Sequence, residues 1–345
     1  MEFADGIESA LAAAKFGNDS LICVDATVLE LYGSRLRESL GGRPVFSMTP
    51  TEAFKSLDGV GQLAGWLVQQ QASKTTSLVA IGGGITQDVA AFVSHVYHRG
   101  IRWSFVPTTL LAMCDSCIGA KSGVNLNGFK NQLGMFHAPQ RVVIATEFTK
   151  TLSDDHIKSG YGEILKLMLT GSREHFARLA RDVEAGGLRN PELGRLIRDS
   201  LLVKRGVIEI DEYETDLRRI LNYGHTFGHA LEAVTEHQVP HGIAVAWGLD
   251  LINYLSLRMG LLTESDFRVV HDFVIRHLTT TIRCRVSAAE LVAAARRDKK
   301  ATGDAVNLVL FGGPGDLRIV KTRLDQQLTD QIARYLDEFD VLRGT

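Results

Sequence analysis

Ser77–Ile81 (S-L-V-A-I) is a short apolar run that passes straight into Gly82-Gly83-Gly84, and a helical pattern, I-T-Q-D-V-A-A-F-V-S-H-V-Y, follows at once. A strand that ends in glycines and opens a helix is half of a βα unit. It commits this part of the chain to a parallel sheet wrapped by helices. Neighbouring segments agree. Ser20–Asp25 (S-L-I-C-V-D) reads as a strand ending in an acid, and Ala53–Ala72 sets Leu57, Val60, Leu63 and Leu67 at helical spacing. Trp103–Leu110 predicts a further strand. From about Ser153, which precedes Asp154-Asp155 as a helix start, the pattern turns mostly helical. Ser287-Ala-Ala-Glu290 reads as a capping box, and two short strands flank the turn Gly312-Gly313-Pro314-Gly315.

A chain of 345 residues exceeds one ordinary core, so two domains are expected. The seam falls near residues 145–155, giving an α/β domain over residues 1–150 and a helical one over residues 151–345. The formal net charge of -2 gives no reason to expect nucleic acid or an anionic membrane as partner. No apolar stretch is long enough to span a bilayer, and the acidic start M-E-F-A-D-G-I-E does not resemble a signal peptide. Four cysteines, Cys23, Cys114, Cys117 and Cys284, are too few for a disulfide scaffold and suit a reducing cytoplasm. Cys114 and Cys117 form a C-x-x-C without the preceding βαβ start of a redox motif, and it reads as incidental.

Three groups of residues carry chemistry. Gly82, Gly83 and Gly84 let backbone N–H groups come close to a phosphate, although the same glycines would serve a plain tight turn. Asp25, at a strand end, is the kind of acid that holds a ribose hydroxyl, and together the two features favour NAD. Pro107–Asn131 is dense in small and cationic residues: Asp115, Lys121, Lys130 and Asn131 stand among Gly119, Gly123 and Gly128. Lysines act as point charges for phosphate. Lys166, Lys204, Arg218 and the pair Lys299-Lys300 add cations later, though any one of them alone would pass for a surface charge. The third group is N-Y-G-H-T-F-G-H-A-L-E, Asn222–Glu232, with His241 beyond it. His225 and His229 share one face if the segment is helical, and His241 follows a proline step where a new helix can start. Converging neutral imidazoles suit a divalent metal such as zinc; an isolated one would merely hydrogen-bond.

G-G-G-x-x-x-D, V-P-T-T-L-L-A-x-x-D-S, K-S-G-V-N, K-N-Q-L-G-M-F, G-Y-G-E-I-L-K, D-E-Y-E-T-D-L-R, L-N-Y-G-H-T-F-G-H-A-L-E, H-G and D-K-K occur in this order between Asp25 and Lys300. In these motifs the chain resembles 3-dehydroquinate synthase and, more broadly, the sugar phosphate cyclases. The resemblance implies a Rossmann-like NAD-binding α/β domain, a mostly α-helical C-terminal domain, and one divalent metal ion, zinc or cobalt, in the cleft between them. It implies oxidation of a ring carbinol, loss of phosphate, reduction, ring opening and intramolecular aldol closure, with NAD returned unchanged. The substrate would be a small sugar phosphate and the enzyme a homodimer.

Carried over by position, the resemblance gives Glu163, His225 and His241 as metal ligands. Glu163 does not emerge from spacing alone. NAD contacts fall on Asp25, Glu52, Lys55, Gly82, Gly83, Gly84, Asp88, Thr108, Thr109, Lys130, Phe148 and Thr151. Substrate contacts fall on Asp115, Lys121, Asn131, Lys166, Lys204, Arg218, Asn222, His229 and Lys300, with Arg99 reaching the phosphate in a neighbouring subunit. Lys121, Lys166, Asn222 and His229 are the candidate catalytic groups; Lys166 would hydrogen-bond the transient ketone and His229 would relay a proton.

The sequence also departs from the family pattern. Gln87 and Ala91 stand where glycines are usual, Leu126 and Asn127 replace His and Pro, and the E-x-G-L-R segment becomes Glu214-Thr-Asp-Leu-Arg218. These changes leave sedoheptulose 7-phosphate and glucose 6-phosphate open as substrates. Arg218, Asn222 and Lys300 keep the dehydroquinate synthase types, and an arginine suits a carboxylate. A metal-dependent polyol dehydrogenase would share the glycines and histidines without needing the phosphate-binding lysines.

Overall fold

The computed structural model describes residues 1–14, 17, 19–127, 129–279, 284–297 and 305–339. It divides into two compact units, Met1–Leu152 and Ser153–Thr345.

The first unit contains β1 (Glu2–Phe3), α1 (Ile7–Ala14), β2 (Ser20–Asp25), α2 (Ala26–Leu40), β3 (Val45–Met48) and α3 (Leu57–Gln69). It continues with β4 (Ser77–Gly82), α4 (Gly84–Val96), β5 (Arg102–Pro107), β6 (Lys121–Leu126), β7 (Phe129–Phe136) and β8 (Arg141–Ile144). In the described residues six strands form one sheet in the order β1-β8-β5-β4-β2-β3, every pairing parallel. The central strands are covered on both faces, which is why β4 is buried along its whole length and reads as an unbroken apolar run. Helix α3 starts later than the apolar spacing implies, because Ser56 caps it through the Gly59 N–H. Likewise β5 ends at Pro107, short of Leu110, and the chain then turns into a π-helical coil over Ala112–Ser116. Within and just beyond Pro107–Asn131, read only as a run of small and cationic residues, β6 pairs antiparallel with β7.

From β2 the chain moves outward to β3, then returns past β2 to β4 on its other side. The order therefore reverses between β2 and β4. At such a switch point the loops after adjacent strands diverge and leave a crevice beyond the strand ends. Asp25 and Gly82, the last residues of β2 and β4, stand at that place.

The second unit contains α5 (Asp154–Gly171), α6 (Arg173–Gly186), α7 (Leu193–Ile210), α8 (His225–Val234), α9 (His241–Arg258), α10 (Glu264–His277) and α11 (Ala288–Arg296). It ends with the hairpin β9 (Ala305–Gly313) and β10 (Asp316–Arg323), then α12 (Gln326–Phe339). The Ser153 cap and the Ser287–Glu290 capping box are both present. Helix α9 is buried continuously from Gly242 to Ser256 and packs against α5, α8, α10, α12 and β9. A helix apolar on all sides belongs inside a core. Its one acid, Asp250, accepts Tyr335 Oη at 2.6 Å and His271 Nδ1 at 2.8 Å, tying α12 and α10 to α9. No helix among the described residues is long and apolar enough to cross a membrane.

All four cysteines are free thiols. Cys114 and Cys117 are buried, and their Sγ atoms donate to the carbonyls of Leu111 and Met113. Burial pushes the Cys23 thiol up to about 12, with Asp25 adding to the shift. A thiol that cannot ionise and cannot be reached does not react. In the native protein an aromatic disulfide reagent should therefore modify Cys284 alone, and all four thiols only after denaturation. Rapid loss of a second thiol from the folded protein would contradict this.

Candidate functional site

In the first unit, the start of α4 is uncapped by any side chain, so its first N–H groups stay available at the switch point. A side chain on Gly83 would press on Thr109, at 2.9 Å from Cγ2, whereas Gly84 faces open space. Thr108 N–H donates to Gly82 O at 2.9 Å and holds the glycine turn to the strand beside it. A helix start with its dipole, free N–H groups and no side chain in the way fits a pyrophosphate.

Several residues named from sequence are linked to one another within this unit. Lys55 Nζ lies 2.5 Å from Asp88 Oδ2, and Asp88 Oδ1 accepts the Gly123 N–H at 3.4 Å. Glu52 accepts Asn125 Nδ2 at 2.9 Å and lies 3.9 Å from Lys130 Nζ, while Asn131 N–H donates to Asn125 Oδ1. Asp25 already uses Oδ1 to cap α2 through the Thr27 and Val28 N–H groups. Phe148 is buried edge-on against Tyr32, whose hydroxyl meets Thr151 Oγ1 at 2.9 Å. Any ligand contact of Phe148 would thus run through its main chain. Lys121 opens β6, and Asp115 lies on the π-helical coil.

Gln87 gives the departure at that position a structural role. Its amide donates to Ser116 O and accepts from Ser116 Oγ, both at 2.6 Å, clamping the coil that carries Asp115 to α4.

Arg99 lies elsewhere. It is exposed in the turn before β5, at the N-terminal edge of the sheet, with φ of +60°. The turn is pinned by Lys74 Nζ, which donates to the carbonyls of His98, Arg99 and Gly100 at 2.9, 3.2 and 2.5 Å. A six-residue strand separates the two edges by roughly 20 Å. Arg99 therefore lies at the opposite edge of the sheet from the switch point of its own unit.

In the second unit, His225 and His229 lie one turn apart on α8, and His241 is the first residue of α9. Ligand nitrogens of the three lie within 4.8 Å of one another. From α5, Glu163 reaches the same point: Oε1 is 3.1 Å from His241 Nε2 and 3.7 Å from His225 Nε2. The outer ring nitrogens are occupied, with His225 Nδ1 3.1 Å from Tyr223 O and His241 Nδ1 3.0 Å from Glu232 Oε2. Both Nε2 atoms are thereby turned toward Glu163.

Glu163 is almost completely buried, and Lys166 Nζ holds its other oxygen at 2.5 Å. Burial pushes this carboxyl up, but the Lys166 ammonium and His241 outweigh it and hold it below the usual carboxylate range. For His241, burial favours the neutral ring, and the carboxylates of Glu163 and Glu232 overcome it and raise the imidazole. A cation binding here would take the place of the proton between Nε2 and Oε1, the exchange a metal site requires. The donors fit a borderline divalent ion in two overlapping sets, His225–His229–His241 and Glu163–His225–His241. Three ligands leave an open, reactive position; all four would close the tetrahedron.

Around these ligands α5 packs on α7, and Leu167, Val207 and Leu221 form a small core with Ile220. This places α7, with buried Lys204, and the turn Leu217–Asn222, with buried Arg218, beside the helix of Glu163 and Lys166. Arg218 donates to Glu212 O, and Asn222 Nδ2 donates to Glu214 Oε1 at 2.6 Å. Asp211 organises the approach by accepting the N–H groups of Thr215, Asp216 and Arg218. Those bonds hold its carboxyl at about 2, overcoming the opposing effect of burial. Asp211 and Glu232 fall inside motifs quoted from the sequence, but sequence reasoning gave them, like Gln87 and Glu214, no role. Only the E-x-x-x-R spacing hinted at Glu214. Lys300 lies outside the described residues.

Two family descriptions match the chain: 3-dehydroquinate synthase N-terminal over residues 45–159, and 3-dehydroquinate synthase C-terminal over residues 160–301. The 3-dehydroquinate synthase of Acidithiobacillus ferrooxidans is 35% identical over 337 residues, covering 96% of this chain and 93% of that protein. Among solved structures, a 2-deoxy-scyllo-inosose synthase complexed with carbaglucose-6-phosphate, NAD+ and Co2+ aligns with a TM-score of 0.85 at 25% identity, covering 96% of both chains. The 2-epi-5-epi-valiolone synthase of Streptomyces hygroscopicus subsp. jinggangensis, with NAD+ and Zn2+ bound, aligns at 0.83 and 27%, covering 95% of this chain and 94% of that one.

Proposed function

This chain belongs to the 3-dehydroquinate synthase family, and on that premise we propose that it is a sugar phosphate cyclase. It uses NAD+ and one divalent metal ion, zinc or cobalt, to turn a phosphorylated sugar into a carbocycle with loss of phosphate, a carbon–oxygen lyase reaction. Residues 1–150 take the nucleotide and residues 151–345 the metal and most of the substrate. The observation that carries this reading is the convergence of Glu163 Oε1 with His225 Nε2 and His241 Nε2, while Lys166 holds the other carboxylate oxygen.

Once bound, NAD+ supplies reversible hydride uptake and the metal a Lewis acid for a ring hydroxyl. The protein's own groups do the remaining work. Lys166, held by Glu163, hydrogen-bonds a carbonyl oxygen as it gains charge. His229 relays a proton when Glu163, His225 and His241 are the ligands. Lys121, Lys204 and Lys300, with Asp115 and Asn131, orient the substrate and its phosphate, and Asn222 is steadied by Glu214. Buried Arg218 suits a carboxylate, which favours the 3-dehydroquinate synthase reaction. Arg99 lies at the sheet edge opposite the switch point, and this supports a homodimer in which it serves the neighbouring subunit. Free thiols suit a reducing cytoplasm.

The second reading, a cyclase for glucose 6-phosphate or sedoheptulose 7-phosphate, draws on the inosose and valiolone synthase structures. Phosphate release from a panel of sugar phosphates, with product identified by mass and NMR, separates the two. We expect release from 3-deoxy-arabino-heptulosonate 7-phosphate without accumulation of NADH. Arg218→Ala should lose on the order of ten- to a hundredfold in kcat/KM, since a charge-assisted contact contributes about 1.5–3 kcal/mol. Release from the other sugars alone would remove the carboxylate. NADH accumulating in step with product from a simple polyol would instead mark a dehydrogenase.

A further inference from the structure

His241 meets a carboxylate through each ring nitrogen: Glu163 Oε1 at Nε2, 3.1 Å away, and Glu232 Oε2 at Nδ1, 3.0 Å away. Glu232 sits near the end of α8, two turns beyond His225, so one helix supplies a candidate ligand at its start and the anchor of the next near its end. The Glu232 side chain is nine-tenths buried. Its main chain is fixed too, because its carbonyl accepts the His237 N–H at 2.7 Å. Half-exposed His237 also faces it, with Nδ1 4.0 Å from Oε1.

An imidazole that gives one nitrogen to a metal must carry its hydrogen on the other. An acceptor at that second nitrogen selects the tautomer, stops the ring from rotating and strengthens the ligand. For His225 the acceptor is the main-chain carbonyl of Tyr223, which no side-chain replacement removes. For His241 it is a side chain. We propose that Glu232 is the positioning residue of the metal centre: by accepting the His241 Nδ1 hydrogen it fixes the tautomer and orientation that aim Nε2 at Glu163, and so sets the affinity for the metal. This rests on reading Glu163, His225 and His241 as ligands, and it assigns Glu232 no contact with substrate.

The test compares wild type, Glu232→Ala, Glu232→Gln and His237→Ala, each stripped of metal and checked by circular dichroism and thermal melting. Zinc affinity is measured by competition with a chromophoric chelator, and the visible spectrum of added cobalt reports ligand geometry. Glu232→Ala should bind zinc 10- to 100-fold more weakly and alter the cobalt bands. Glu232→Gln, whose amide oxygen can still accept from Nδ1, should recover most of the affinity. His237→Ala should bind as wild type. If Glu232→Ala does not fold, Glu232→Asp replaces it, since its shorter side chain keeps the charge but withdraws the acceptor. Wild-type affinity and spectrum in Glu232→Ala would overturn the proposal. So would a Gln variant as weak as the Ala variant, or an equal loss in His237→Ala, which would mark the whole end of α8 rather than this bond. A wild type that takes up no zinc would sink the metal reading beneath it.

Discussion

Alanine at His225 is expected to remove the metal and lower turnover by about a thousandfold or more, since a Lewis acid contributes several kcal/mol at the transition state. His225 belongs to both donor sets, and its Nε2 is one of the two that face Glu163 Oε1. The informative companion is His229→Ala. If Glu163 completes the site, this variant keeps its metal and loses only rate; if His229 is the third ligand, metal and rate vanish together. Metal content by atomic emission on both variants, set beside phosphate release, decides between the sets. Full occupancy in His225→Ala would end the assignment.

The second large effect concerns packing. Helices α5 and α9 cross with their backbones in contact, and the residues at the crossing are Gly162 and Gly242. A methyl on Gly162 would fall inside the Gly242 carbonyl oxygen, and one on Gly242 would fall inside the Ser159 carbonyl oxygen. Neither obstacle is a flexible side chain, so the helices themselves must part. Gly162 adjoins Glu163 and Gly242 adjoins His241, so separating the helices also stretches the 3.1 Å contact between the two. Gly162→Ala should therefore cost about 1–3 kcal/mol of stability or more and weaken metal binding in the same variant. Gly206, in α7, faces open space, and alanine there should be neutral or stabilising by up to about 1 kcal/mol. Denaturant unfolding of the two variants, with zinc affinity beside it, checks the contrast. A Gly162→Ala protein as stable and as metal-competent as wild type would refute the crossing's role.

How much of this was legible in the sequence depends on the range of the interaction. The strand of Ser77–Gly82, its glycines and the start of α4 are local events, written in an apolar run and a loss of side chains. Helix starts at Ser153 and Ser287 follow from a side-chain oxygen meeting an N–H three residues on. His225 and His229 share a face because a helix repeats every 3.6 residues. The pairing of β6 with β7 was not legible. Its residues lack the alternation of a strand, and its β6 strand is held in part by the Asn125 N–H on the distant Lys55 carbonyl. Glu163 came only through resemblance, since nothing near it in the chain marks one carboxylate of a helix as a ligand.

By itself the sequence determined the periodic elements, the glycine turn that suits a phosphate and a histidine pair on one helical face, because each rests on geometry within a few residues. The tertiary structure decided the rest. It put Asp25 and Gly82 at one switch point, left Arg99 at the opposite edge of the sheet, and let Gly162 and Gly242 bring α5 against α9 so that Glu163 meets His241. It also gave Glu232 its partner. Such contacts join groups far apart along the chain and depend on distances of an ångström or less between packed elements, which no local pattern of residues encodes.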